Sequence, residues 1–123
     1  MTTRASMQGF AGFPDGMRRA TPIPNLFFSD LLPLIDNMAE LKVTLYAFWA
    51  LGQREGAVRY LRLTDFMADP VLLKAMGGPS IQSGVDAMLD GIERALARGT
   101  FLKVAVEGAD GQMELYFLNT EKG

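Results

Sequence analysis

The chain has 123 residues, 12 basic and 14 acidic side chains, a net charge of -2, and neither cysteine nor histidine. That length holds one domain, and the charge gives no global pull toward nucleic acid or an anionic membrane. The missing thiols and imidazoles remove disulfides, thiolate nucleophiles, imidazole bases and the usual zinc ligands, so neither an enzyme nor a cofactor or metal site is expected.

Residues 1–24 mix Gly, Pro, Ser and Thr with isolated Phe10 and Phe13 and follow neither a strand nor a helix period. They are expected to form an N-terminal arm, extended or partly disordered, with Pro22 and Pro24 favouring extended backbone. Its phenylalanines either hang in a loose tail or dock on this protomer or a partner. The arm is also where basic character gathers: residues 1–25 carry Arg4, Arg18 and Arg19 against Asp15, whereas residues 80–123 carry four basic and seven acidic groups. The glycines of "GFAGFPDG" match neither GxGxxG after a strand nor a P-loop.

Residues 25–123 form the body. From Asn25, a plausible N-cap, "LFFSDLLPLI" puts Phe27, Leu31 and Leu34 on one helical face, with Pro33 ending or kinking the helix. Asn37 with Glu40 three positions later makes a capping-box pattern. Behind it Leu41, Leu45, Phe48 and Trp49 share a stripe, while Val43, Tyr46, Ala47, Ala50 and Leu51 carry apolar surface around the other sides. A helix apolar nearly all round is covered on more than one side, by the core or by a second subunit. For Trp49 and Tyr46 this favours packing over stacking on bases.

"AVRYLRL" alternates as a short strand, Thr64 can cap the helix that follows, and Asp69 before Pro70 divides that helix in two. The next helix, after "GGPS", carries Ile81, Val85, Met88, Leu89, Ile92 and Leu96 on one stripe and stops at Gly99. Ser83, Asp90, Arg94 and Ala97 face away from the stripe, flanked by Asp86 and Glu93 on one side and Ala87 and Arg98 on the other. "TFLKVAVEGADGQMELYFLN" reads as two strands around "GADG". A four-residue loop sets Val106 opposite Met113, Val104 opposite Leu115 and Leu102 opposite Phe117. The alternative Asp-Gly loop would oppose Glu107 and Glu114, so the first register is expected. The carboxylate pairs Asp65/Asp69 and Asp36/Glu40 could suggest a metal or acid-base site, but helix capping accounts for Asp36 and Asp69.

Helix, helix, short strand, helix, helix and hairpin is an α+β order, mainly α: a winged helix-turn-helix with an extra N-terminal arm and helix and a C-terminal β-hairpin wing. The segments "IPNLFFSDLLPLIDNMAELKVTLYAFWAL", "RLTDFMADPVLLKAM" and "ALARGTFLKV...LYFLNTEKG" resemble the N-terminal domain of bacterial DnaD-like replication-initiation (primosome) proteins over roughly residues 20–123. The resemblance rests on hydrophobic pattern and a few words, with no catalytic signature. It implies a self-association module whose DNA-binding activity lies in a separate C-terminal helical domain, of which this chain would be the N-terminal fragment.

The expected protein is therefore cytoplasmic and homo-oligomeric, most simply a dimer, with other replication proteins as further partners. No membrane partner is expected: the run "VTLYAFWAL" is far short of the ~20 residues that span a bilayer, and "MTTRASMQGF" lacks a signal-peptide core. Self-association is expected through Phe10 and Phe13 of the arm, the amphipathic segment 26–35 with Leu26, Phe27 and Leu31, and an exposed side of the next helix bearing Val43, Tyr46 and Ala50. Arg18, Arg19, Arg54, Arg59 and Arg62 are the candidates for weak contacts to a DNA backbone. The alternative is a small transcriptional regulator reading duplex DNA through the same fold. It would need basic groups on the 80–98 helix and the wing, where the helix turns Asp86, Asp90 and Glu93 to water and the wing tip reads "EGADGQME".

Overall fold

A computed structural model describes residues 9–16 and 19–120. Helix α1 (Met38–Gly52) leads to a two-residue strand β1 (Leu61–Arg62), the short helices α2 (Leu63–Ala68) and α3 (Pro70–Met76), the long helix α4 (Ile81–Arg98), and the strands β2 (Phe101–Gly108) and β3 (Gly111–Leu118). The fold is α+β, with one antiparallel sheet in the order β1-β3-β2.

Local chemistry sets most of these boundaries. Asn37 Oδ1 accepts the Glu40 N–H at 2.9 Å and so caps α1. Asp69 Oδ1 accepts the N–H groups of Val71 and Leu72 at 2.9 and 3.0 Å, and Pro70 takes the first position of α3, where its missing N–H costs nothing. Ser80 and Ser83 cap α4 reciprocally: Ser80 Oγ accepts the Ser83 N–H at 3.1 Å, and Ser83 Oγ accepts the Ser80 N–H at 3.2 Å. Gly99 closes α4 in the left-handed conformation, φ 90°.

Two expected caps differ. Thr64 does not cap α2, which begins one residue earlier; the Asp65 carboxylate instead accepts the Arg62 N–H at 2.7 Å. Asn25 lies inside a first helical turn that runs into a π-helical stretch at Phe27–Leu31, then a 3-10 turn at Leu32–Leu34 that accommodates Pro33.

The hairpin register matches the charge argument: Leu102 faces Phe117, Val104 faces Leu115 and Val106 faces Met113. The pairing continues to Gly108 and Gly111, so the loop itself is only Ala109–Asp110. Strand β1 joins the far side of β3 through Leu61 opposite Tyr116.

The core gathers Val43, Ala47, Ala50 and Leu51 of α1, Leu61, Phe66, Leu72, then Met88, Ile92 and Ala95 of α4, with Phe101 and Tyr116 from the sheet. Phe66 is its centre, with ring centroids 5.6 Å from Tyr46, 6.1 Å from Phe101 and 5.9 Å from Tyr116. Helix α1 therefore turns inward the side carrying Glu40, Val43, Thr44, Ala47, Ala50 and Leu51, and leaves Leu45 and Trp49 of the expected stripe exposed. Its neighbour α4 buries Gly84, Met88, Gly91, Ile92 and Ala95, while Ile81 at the end of its expected stripe is exposed.

Tyr46 is held beside α2. Its hydroxyl donates to the Asp65 carbonyl at 3.3 Å. Burial, followed by the Asp69 and Asp65 carboxylates, pushes its phenol from 10.0 up to about 12. The folded state favours the neutral phenol, so this contribution to stability is whole below pH 10.0 and is lost as the pH climbs through about 12. Phenolate absorbance in an alkaline titration should show a late step near 12 that Tyr46→Phe diminishes, burial raising the Tyr116 phenol as well. A titration already complete before that pH would contradict the placement.

Candidate interaction surfaces

The cations of α4 are engaged within the protomer. On α4, Arg94 Nε bonds Asp90 Oδ2 at 2.8 Å one turn back. Arg98 turns away from solvent toward α1: its Nε and Nη2 donate to Glu40 Oε2 and Oε1 at 2.6 and 3.0 Å, and Nη2 lies 3.7 Å from Asp36. The Glu40 bonds hold the Arg98 guanidinium above its ordinary pKa. Glu40 is itself fully buried, and its carboxylate forms a forked pair with a guanidinium whose side chain is 25% exposed. The capping box suggested by Asn37 and Glu40 is thus half formed. Glu40's N–H is capped, but its side chain goes to Arg98.

The other expected carboxylate pairs are likewise committed. Asp69 caps α3, and Asp65 binds the Arg62 N–H and Arg54, the latter at 3.1 Å. Asp36 is not a cap; that role belongs to Asn37. Among the described residues no cluster of three or more acidic groups is placed to hold a metal ion.

The candidate DNA-contacting arginines are not brought together by any observed contact. Arg54 pairs with Asp65, Arg59 Nε donates to the Gly56 carbonyl at 3.3 Å, and Arg62 is exposed on β1. Arg19 is exposed in the arm, and Arg18 lies outside the described residues. On the hairpin, Lys103 Nζ lies 3.4 Å from Glu114 on the neighbouring strand.

The expected self-association residues divide into two groups. Val43 is 0% and Ala50 7% exposed, so both belong to the protomer's own core and are corrected as interface candidates. Phe27 is buried against Phe28 and Phe48, with centroids 5.0 and 5.9 Å away, and Tyr46 is half-buried beside Phe66. For the three residues of α1, Val43, Tyr46 and Ala50, the cause is the same. A helix apolar on every side gives no periodic signal for which side faces in.

Leu26 is exposed and Leu31 half-buried. Phe10 and Phe13 meet each other edge to face at 5.0 Å but remain 72% and 77% exposed, so neither is docked on the body.

Apolar surface nevertheless stands in solvent, partly within the expected segment 26–35 and partly at positions of the next helix that the sequence did not single out as an interface. Phe28, Leu34, Met38, Leu45 and Trp49 are exposed along the first turn and the outer side of α1. Trp49, at 49%, packs only in part, on Tyr46. Beside this region a groove of about 290 Å³ lies between Leu26, Phe27, Leu31 and Leu34 on one side and Phe48, Arg98 and Thr100 on the other. A second groove of about 410 Å³ is lined by Pro22, Phe48, Leu51, Val58, Arg59 and Phe117. The hairpin turns Leu102, Val104 and Val106 of β2, with Phe117, Leu115 and Met113 of β3, to the face opposite the core.

No protein-family model, curated protein or solved structure matches the chain. Among the described residues no helix is long and apolar enough to cross a membrane.

Proposed function

We propose that this chain is a non-enzymatic winged-helix assembly module of a DnaD-like replication-initiation protein, and that its activity is self-association, most simply as a homodimer. The element order and the sheet order β1-β3-β2 support the winged-helix reading, with α3 and α4 as the helix-turn-helix and β2–β3 as the wing. The family assignment rests on the sequence resemblance alone.

One observation carries the functional reading. On α4 and the wing, Arg94, Arg98 and Lys103 are bonded within the protomer, while apolar side chains such as Phe28, Met38, Trp49 and Val104 face water. Reading a duplex requires cations offered to phosphates. Contiguous exposed apolar surface marks a contact with protein.

Size-exclusion chromatography with light scattering should give a dimer or larger. Fluorescence anisotropy across a salt series should give only weak duplex binding, confined to low salt. A monomer at high micromolar concentration would sink the assembly reading. Sequence-dependent duplex binding at ~10 nM or tighter at physiological salt, weakened by Arg94→Ala, would replace it with the transcriptional regulator.

A further inference from the structure

Strand β2 is the long open edge of the sheet: the order β1-β3-β2 gives it a neighbour on one side only, and β1 at the other edge has two residues. It is eight residues long, contains no proline, and has only Lys103 and Glu107 as charges. An edge of that length is a template for another strand.

The main-chain groups on its open side can be named. The Asn119 N–H donates to the Thr100 carbonyl at 2.9 Å. By the alternation of antiparallel ladders, Thr100, Leu102, Val104 and Val106 turn their N–H and C=O toward β3, and Phe101, Lys103, Ala105 and Glu107 turn theirs outward.

We infer that β2 pairs antiparallel with β2 of a second copy, with Ala105 on the twofold axis and Lys103 of each copy opposite Glu107 of the other. This rests on the self-association proposed above and names the surface that performs it. The register follows from charge. Moving the axis so that Lys103 faces its own counterpart opposes like charges, whereas Ala105 on the axis makes two opposite-charge pairs at once. In the same register Val104 meets Val106 of the other copy on the reverse face, so the rows Leu102/Phe117, Val104/Leu115 and Val106/Met113, of which Leu102 and Val104 are exposed and the rest half-buried, become one continuous apolar face. The two sheets join into one of six strands, and no unpaired β2 edge is left.

The chain has no cysteine, so a single introduced thiol reports the pairing. Directly opposed hydrogen-bonded residues have Cα atoms about 5.5 Å apart, within disulfide reach. Ala105→Cys in the full chain should oxidise to a covalent dimer far faster than Asp90→Cys on the exposed side of α4. In the cysteine-free protein, Glu107→Lys, and Lys103→Glu made together with Glu114→Lys so that the pair within the hairpin stays matched, should each weaken dimerisation about tenfold or more, because each opposes like charges twice. The chain carrying all three changes should regain it.

A dimeric wild type in which Ala105→Cys cross-links no better than Asp90→Cys, or in which the three changes together fail to restore what the separate reversals lose, would overturn the β2 pairing and leave self-association standing. A monomeric wild type would overturn both. Circular dichroism of each variant separates lost pairing from lost folding.

Discussion

Gly91→Leu is expected to unfold the protein, and even Gly91→Ala to lower its stability measurably. A Cβ at this position would sit 2.8 Å from the Ala39 carbonyl carbon, 2.9 Å from its oxygen and 2.9 Å from the Glu40 nitrogen. All three are backbone atoms that cannot rotate away, so α1 and α4 must separate. Alanine gains up to about 1 kcal/mol over glycine inside a helix, but overpacking of this kind costs about 1–3 kcal/mol, and the net sign is unfavourable. Gly84 on the same helix is the control. Its added Cβ would meet Leu73 and Gly77 at 3.5–3.6 Å, ordinary contact, so Gly84→Ala should be neutral or stabilising by up to about 1 kcal/mol. Urea melts of the two alanine variants decide the matter; equal midpoints would mean that the helix crossing has slack.

A comparable loss is expected from Arg98→Met. The side chain of Glu40 is wholly buried and its two oxygens accept from Arg98, so the variant leaves a carboxylate in the core with no cation. An uncompensated carboxylate in Glu40's position costs roughly 3–5 kcal/mol, a large share of the ~5–15 kcal/mol that holds a domain folded. Changing both partners should cost far less, because Glu40→Leu with Arg98→Met replaces a desolvated pair by apolar packing of similar volume. The chemical-denaturation cycle should therefore be strongly non-additive. Additive losses would show that the two side chains act independently.

Several elements were legible because their causes are local. The limits of α4 follow from Ser80 and Gly99, the division between α2 and α3 from Asp69–Pro70, and the hairpin register from the avoidance of Glu107 opposite Glu114. Strand β1 was legible only in part: alternation suggested seven residues, but two find a partner on β3. What the sequence left open depends on tertiary contact. Helix α1 has apolar residues at every angle, so its burial of Val43 and Ala50 rather than Trp49 is decided by where α4 packs. Glu40 matched a capping partner three residues from Asn37, while its actual partner, Arg98, lies 58 residues away. Arg98 in turn looked like a surface residue at the end of a recognition helix.

The same contact orders events during folding. The β2–β3 hairpin closes across Ala109–Asp110 and can form locally on a microsecond scale, whereas α1 reaches α4 only after a chain segment of 58 residues has been drawn together. Until α1 arrives, Phe66, Met88 and Ile92 lack its cover while the hairpin already presents a free strand. When the whole chain refolds, the interval before that closure is when it is most exposed to mispairing, and that interval is set by the arrival of the helix rather than by the sheet.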